Sequence, residues 1–189
     1  MANSQISFPS FAEPLTVRRA AVGDLPLIMA LERGPDFEAC VGRSDRDEHE
    51  AMLGSPRYGY FLGLDAAAIP RAFAILRDLD DPHGNLYLKR VAVAAPGQGF
   101  GSQFLAQLVD WAFAETGAYR FYLDCFDDNA RAHKAYAKLG LTRDGTLRGA
   151  YLAPDGRRRD LVLMAITRPE WFERRRSFAV AADASRAAP

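Results

Sequence analysis

A run of glycines stands where a strand pattern gives way to a helix pattern: Gly97-Gln98-Gly99-Phe100-Gly101-Ser102. Glycines let a backbone come close to a ligand, and the first N–H groups of a helix have no acceptor inside it. The helix dipole adds about 0.3–1 kcal/mol for a negative group placed there. A phosphate is the natural guest of such a turn; a tight strand-to-helix connection that binds nothing is an equal alternative on this string alone. The string excludes a P-loop, since no GxxxxGK[ST] is present, and disfavours a dinucleotide fingerprint. The third glycine of GxGxxG is displaced, and the loop follows about four predicted strands instead of the first. Further along, Asn129 and Tyr136 are separated by about two helical turns, so both lie on one face.

Other reactive residue types form no set. The 3 histidines, His49, His83 and His133, are scattered and make no metal site. His49 and His133 are expected on charged helix faces and His83 in a solvated turn. The 2 cysteines, Cys40 and Cys125, fit neither a zinc knuckle nor a redox CxxC and read as reduced, partly buried thiols. The basic runs Arg157–Arg159 and Arg174–Arg176 read as exposed charge.

The elements that must carry these residues follow from pattern. Leu15–Ala20 alternates as a strand, and Asp24 and Pro26 open a helix with a Leu27, Ile28, Leu31 stripe. Ser44–Leu53 reads as a second helix capped by Ser44. Tyr58–Leu64 and Arg71–Leu76 read as a hairpin. Leu86–Ala94 is a strand, the glycines break it, and Ser102–Glu115 is an amphipathic helix. Arg120–Phe126 is the next strand, followed by a helix capped by Asp127 or Asp128 and ended by Gly140. Leu141–Tyr151 and Arg157–Ile166 pair around Asp155-Gly156. A closing helix starts near Pro169 and docks through Trp171 and Phe172. The expected architecture is a single α/β (α+β) domain over residues 14–177, with a flexible arm at 1–13 and a flexible tail at 178–189. It has a mixed, mostly antiparallel central sheet of about seven strands with helices on both faces.

Composition narrows the function classes. The chain has 189 residues, 49% hydrophobic and 25% charged, enough for a core without disulfide or metal staples. Lys plus Arg equals Asp plus Glu at 24 each, so bulk electrostatics holds neither nucleic acid nor an anionic membrane. No apolar run approaches the roughly 20 residues of a membrane span, and the N-terminus lacks a signal-peptide pattern. A cytoplasmic location is expected.

Pro96–Phe104 (PGQGFGSQF), set between strand and helix, resembles the acetyl-CoA loop of the GCN5-related N-acetyltransferases. Asn129–Leu141 (NARAHKAYAKLGL) resembles the next motif of that family, an Asn, small or basic residues, a Tyr, then Leu-Gly-Phe. Together they cover the order of elements from about residue 14 to 168. The closing DGRRRDLVLMAI is similar to the branch related to ribosomal-protein N-terminal acetyltransferases. Two departures stand out. Pro96 occupies the place of an Arg or Gln in the loop, and Leu141 replaces the Phe.

The resemblance implies an acetyl-CoA-dependent N-acetyltransferase acting on a primary amine by direct attack in a ternary complex. Acetyl-CoA is the co-substrate, and the acceptor is a small-molecule or peptide amine. A non-catalytic CoA or acyl-CoA-binding module is the first rival and a nucleotide-dependent enzyme the second. It further implies that the Leu86–Ala94 and Arg120–Phe126 strands splay. Val91 and Val93 then pair with the pantetheine arm, with the Val91 N–H as oxyanion donor. Amides around Gln98, Gly99, Gly101 and Ser102 hold the pyrophosphate, Asn129 bonds the pantetheine, caps its own helix or does both, and Tyr136 protonates the leaving sulfur. The family's Glu base has no counterpart, since this strand offers Lys89 and Arg90. Asp124, which shares a face with Tyr122 and Phe126, is the candidate base or else the partner of a nearby arginine. Glu32, Glu38 and a water chain are further options. A homodimer through the last hairpin and helix is an open expectation.

Overall fold

The computed structural model describes residues 15–34, 37 and 42–186. Glu38, Cys40 and the expected arm at 1–13 lie outside the described residues. The order of elements is β1 (Thr16–Arg19), a 3-10 turn (Val22–Asp24), α1 (Leu25–Glu32), α2 (Arg46–Leu53), β2 (Tyr58–Leu64), β3 (Pro70–Arg77), β4 (Asn85–Val93), α3 (Phe100–Glu115), β5 (Arg120–Phe126), α4 (Ala130–Leu139), β6 (Thr142–Leu152), β7 (Arg158–Thr167) and α5 (Arg168–Arg186). The strands form one seven-stranded sheet in the order β1-β2-β3-β4-β5-β7-β6. Every neighbouring pair is antiparallel except β4–β5. A parallel pair needs a crossover, and α3 supplies it.

Two apolar layers cover the sheet. On one face Leu25 and Ile28 of α1 pack on Tyr60, Leu62, Phe73, Ile75 and Ala92, with Met52 and Leu53 of α2 at the edge. On the other, Phe104, Leu105, Leu108 and Phe113 of α3 meet Leu86, Leu88, Phe121 and Leu123, joined by Tyr136, Leu139 and Trp171. β3 carries an unbroken buried run, Ala72 to Leu76, because both of its faces are covered.

Several local expectations are corrected. Asp45 and not Ser44 caps α2: its carboxylate accepts from the Glu48 N–H at 2.8 Å, and Glu48 accepts from the Asp45 N–H at 3.1 Å. Asn129, not Asp127 or Asp128, caps α4, accepting from Ala132 N–H at 3.1 Å. Asp24 stands before α1, but its carboxylate turns back to Arg18 and the Ala21 N–H. α5 runs as helix from Arg168 to Arg186. Within the second basic run Arg175 is buried against Asp110, because that carboxylate also receives the Trp171 indole N–H and anchors α5 to α3.

Candidate active site

β4 and β5 begin side by side and then part. Their register runs only Asn85↔Arg120, Leu86↔Phe121 and Tyr87↔Tyr122. Beyond that, β4 stays paired with β3 through Val93, and β5 with β7 through Phe126. Each strand is held on its outer side and freed on its inner side. Lys89 is the cause on the β4 side: Ile75 opposes Arg90 and Leu76 opposes Leu88, leaving Lys89 as the extra residue of a bulge, which bends a strand and increases its twist. The opening holds a cavity of 460 Å³ bordered by Val91, Val93, the glycine loop, Asp124, Asn129 and Tyr136. Past the bulge, Ala94 N–H donates to Arg71 of β3 at 2.6 Å. Strand groups alternate in direction, so the N–H and C=O of Val93 and Val91 point away from β3 into the opening.

The glycine loop closes one end. Gly97 and Gly99 adopt φ of 92° and 83°, left-handed values that a side chain disfavours, and Gly99 begins α3. A Cβ on Gly101 would stand 3.1 Å from Val93 Cγ1, so the loop lies tightly against β4. The helix starts two residues earlier than its sequence pattern suggests, which changes which amides are available. Ser102 N–H is already given to the Gly99 carbonyl at 3.1 Å. The amides of Phe100 and Gly101, in the first turn, have no acceptor within the helix. Gln98 is exposed and does not border the cavity, whereas its neighbours Gly97 and Gly99 do. Pro96 also borders it and brings no donor.

Helix α4 forms the adjoining wall. Asn129 Oδ1 serves as its cap, while the residue as a whole borders the cavity. Tyr136, 9% exposed, borders it from the same helix face. His133 is not solvated as expected: its Nε2 lies 3.2 Å from the Phe126 carbonyl, and the ring sits 3.9 Å from Cys125 Sγ. Burial, with Asp124 and Asp127 adding to it, pushes the Cys125 thiol up to about 11.

The face toward α1 and α2 is built from side chains. Asp124 accepts the Tyr87 hydroxyl at 2.6 Å across the point where the strands part, so its partner is a tyrosine, not an arginine. The Tyr87 ring lies 5.0 Å from that of Tyr122, with the Arg77 guanidinium 4.6 Å over it. Burial first, and then that hydrogen bond, raise the Tyr87 phenol well above its ordinary range. Arg90 donates to Glu32 Oε1 at 2.7 Å and to Ser44 Oγ at 3.1 Å. Glu32 Oε2 meets His49 Nε2 at 3.2 Å, and His49 Nδ1 meets the Tyr60 hydroxyl at 2.9 Å. His49 and Glu32 are each 0% exposed. His49 therefore sits in the core and not on a charged face. Glu32 is consumed by an ion pair and unavailable as a base. The residues missed from sequence are Tyr87 and this chain of contacts; Tyr87 meets Asp124 only through the parallel register that sets it beside Tyr122, which no local sequence signal gives.

A strand–glycine loop–helix thus stands beside an opening in the one parallel pair, with a cavity between them. Residues 28–141 match the model of the acetyltransferase (GNAT) family. The chain belongs to that family. It is an N-acetyltransferase that uses acetyl-CoA as co-substrate and an amine as acceptor. Solved structures share its fold. Spermidine N-acetyltransferase from Vibrio cholerae, in complex with CoA and spermine, superposes with a TM-score of 0.74 at 21% identity, over 84% of this chain and 98% of that one. A single-site variant of the same enzyme, SpeG, gives 0.74 at 21% identity, over 85% of this chain and 97% of that one. The branch related to ribosomal-protein acetyltransferases finds no support in these likenesses. Among the described residues no helix is long and apolar enough to cross a membrane.

Proposed function

We propose that acetyl transfer occurs in the β4–β5 opening by direct attack of a neutral amine on the thioester, with both substrates bound. The observation that carries this reading is the loss of pairing after Tyr87 and Tyr122, which leaves the Val91 and Val93 backbone facing a cavity between the glycine loop and α4. The pantetheine arm pairs with Val91 and Val93 as an added strand. The pyrophosphate rests on amides of Gly99, Phe100 and Gly101, with Gln98 and the Ser102 hydroxyl at the margin. Asn129 contributes its amide NH2, since its oxygen already caps α4.

The chemistry is assigned residue by residue. The Val91 N–H faces the oxyanion that forms as the amine adds to the thioester carbonyl. An alkyl amine with a pKa near 10.4 arrives protonated, and Asp124, oriented by Tyr87, takes the proton directly or through water. The tetrahedral adduct then breaks its carbon–sulfur bond, Tyr136 supplies the proton to the sulfur, and the second proton leaving the adduct nitrogen restores the Tyr136 hydroxyl directly or through water. Cys125 lies in the same cavity, but its raised pKa keeps it a thiol at neutral pH. That supports direct transfer over an acyl-cysteine route. The acceptor is a small-molecule or peptide amine; polyamines enter the comparison because the structural neighbours are named for them.

Release of CoA thiol from acetyl-CoA across a panel of amines, read beside CoA binding by thermal shift, tests the proposal. Release with at least one amine is the expected result. A shift with CoA and no release with any amine would instead support a non-catalytic carrier-binding module.

A further inference from the structure

On the cavity wall toward α1 and α2, where the proposed amine would meet Asp124, one cation has no hydrogen-bonding or ion-pair partner among the described residues. Lys89, the bulge residue, borders the cavity and is half-buried, yet its ammonium makes no hydrogen bond or ion pair among the described residues. Its neighbour Arg90 differs, being tied to Glu32 and Ser44 within the fold. Asp124, on the opposite strand, is bonded by Tyr87. The fold thus places on this face a carboxylate already held in position and a cation left open. Partial burial lowers the Lys89 pKa, and the Arg90 and Arg77 cations lower it further; Glu48 and Glu32 oppose this more weakly. Lys89 is only half-buried and no buried side-chain nitrogen is left unbonded among the described residues, so its ammonium reaches solvent at the cavity wall and is free to meet an anion delivered by the substrate.

We propose that the acceptor is an amine that also carries an anionic group, a carboxylate or a phosphate, and that Lys89 is the counter-ion of that group while the amine faces Asp124. The inference rests on the reading of this cleft as the acetyl-transfer site. It separates this chain from its structural neighbours, because a polyamine would bring a second ammonium to a face whose unpaired charge is already positive.

The test measures thiol release from acetyl-CoA with matched acceptors. They are an α-amino acid against its carboxamide, a phosphorylated amino alcohol against the parent alcohol, and spermidine. The charged member of at least one pair is expected to give a kcat/KM about tenfold or more above its neutral partner, the size of one charged contact. The pair that responds identifies the anion as carboxylate or phosphate. Lys89→Gln should bring the ratio near one, and Lys89→Arg should keep most of it; a far-ultraviolet spectrum and thermal melt check each fold. If Lys89→Gln does not fold, the wild-type ratios and Lys89→Arg decide. Spermidine or the neutral partners serving as well as the charged acceptors would overturn the proposal and leave acetyl transfer standing. An unchanged ratio in folded Lys89→Gln would likewise overturn it. No release with any amine, while CoA still shifts the melt, would overturn the acetyl-transfer reading and this inference with it.

Discussion

The two sides of the cleft are made of different material. Toward α3 and α4 the site is mostly backbone: Val91 and Val93 amides freed by a strand that lost its partner, and first-turn amides of a helix entered through left-handed glycines. Toward α1 and α2 it is mostly side chain. A buried chain runs from Arg90 through Glu32 and His49 to Tyr60, beside a Tyr87–Asp124 pair and an open Lys89. Backbone donors suit a carrier that is the same in every turnover and needs no discrimination. Side chains drawn from distant segments suit a variable acceptor, at the cost of coupling that half of the site to the core.

That contrast is sharpened first by Glu32→Ala. Its loss strands the Arg90 guanidinium, 8% exposed, without a counter-ion. Stability by urea denaturation should fall by about 3–5 kcal/mol. CoA affinity of the folded protein should hardly change. A mild loss of stability would mean that the acceptor half is not welded to the core as described.

Tyr136→Phe tests the other side. Turnover should fall by about 100-fold with CoA affinity nearly intact, the mark of a lost general acid. Unchanged turnover would leave Tyr136 as a packing residue. Gly99→Ala comes next: a residue at φ of 83° carries a strain of about 1–2 kcal/mol. The start of α3 should shift, and CoA affinity by calorimetry should drop by about tenfold. An unaffected Kd would remove the loop from the binding site.

The legibility of the two sides from sequence differs for the same physical reason. The elements of the proposed carrier side are legible because their determinants are local. Glycines at a strand–helix boundary, a strand on either side, and Asn129 and Tyr136 two turns apart report themselves within a few residues of chain. Even there the start of α3 was read late, since Phe100 and Gly101 look like loop, and this gave Ser102 an amide role that its bond to Gly99 makes unavailable. The acceptor side was not readable. Nothing within α2 reveals that His49 turns inward, because its burial depends on Glu32, seventeen residues back, and on Tyr60 of β2. Asp124 was found by strand alternation, but its tyrosine partner depends on the parallel register with β4, which no local pattern encodes. The seven-stranded, mostly antiparallel sheet is legible from hairpin signals and β-rich segments, because β2–β3, β3–β4 and β6–β7 are joined by short turns, while β1–β2, β4–β5 and β5–β7 pair across long connections.

The smallest expected effect is electrostatic and has a definite sign. The Lys89 pKa is lower in the fold than the ordinary lysine value of 10.5, so between the two values the unfolded chain holds more protons. The cost of a charged Lys89 is therefore complete below its folded pKa and is relieved as pH rises toward 10.5. The groups facing it are Arg77, Arg90, Glu32 and Glu48. Lys89→Met should raise the neutral-pH melting temperature slightly and flatten the alkaline part of the stability profile. A lower melting temperature would show that the ammonium is held by the fold itself.

The central claim is that the carrier lies in the β4–β5 opening against the glycine loop. A crystal structure of the protein with CoA tests it most directly. The account predicts the pantetheine amides bonded to Val91 and Val93, the pyrophosphate on the amides from Gly99 to Gly101, and the sulfur within reach of the Tyr136 hydroxyl. CoA bound on another surface, or strands β4 and β5 closed on each other with the loop amides unoccupied, would contradict it.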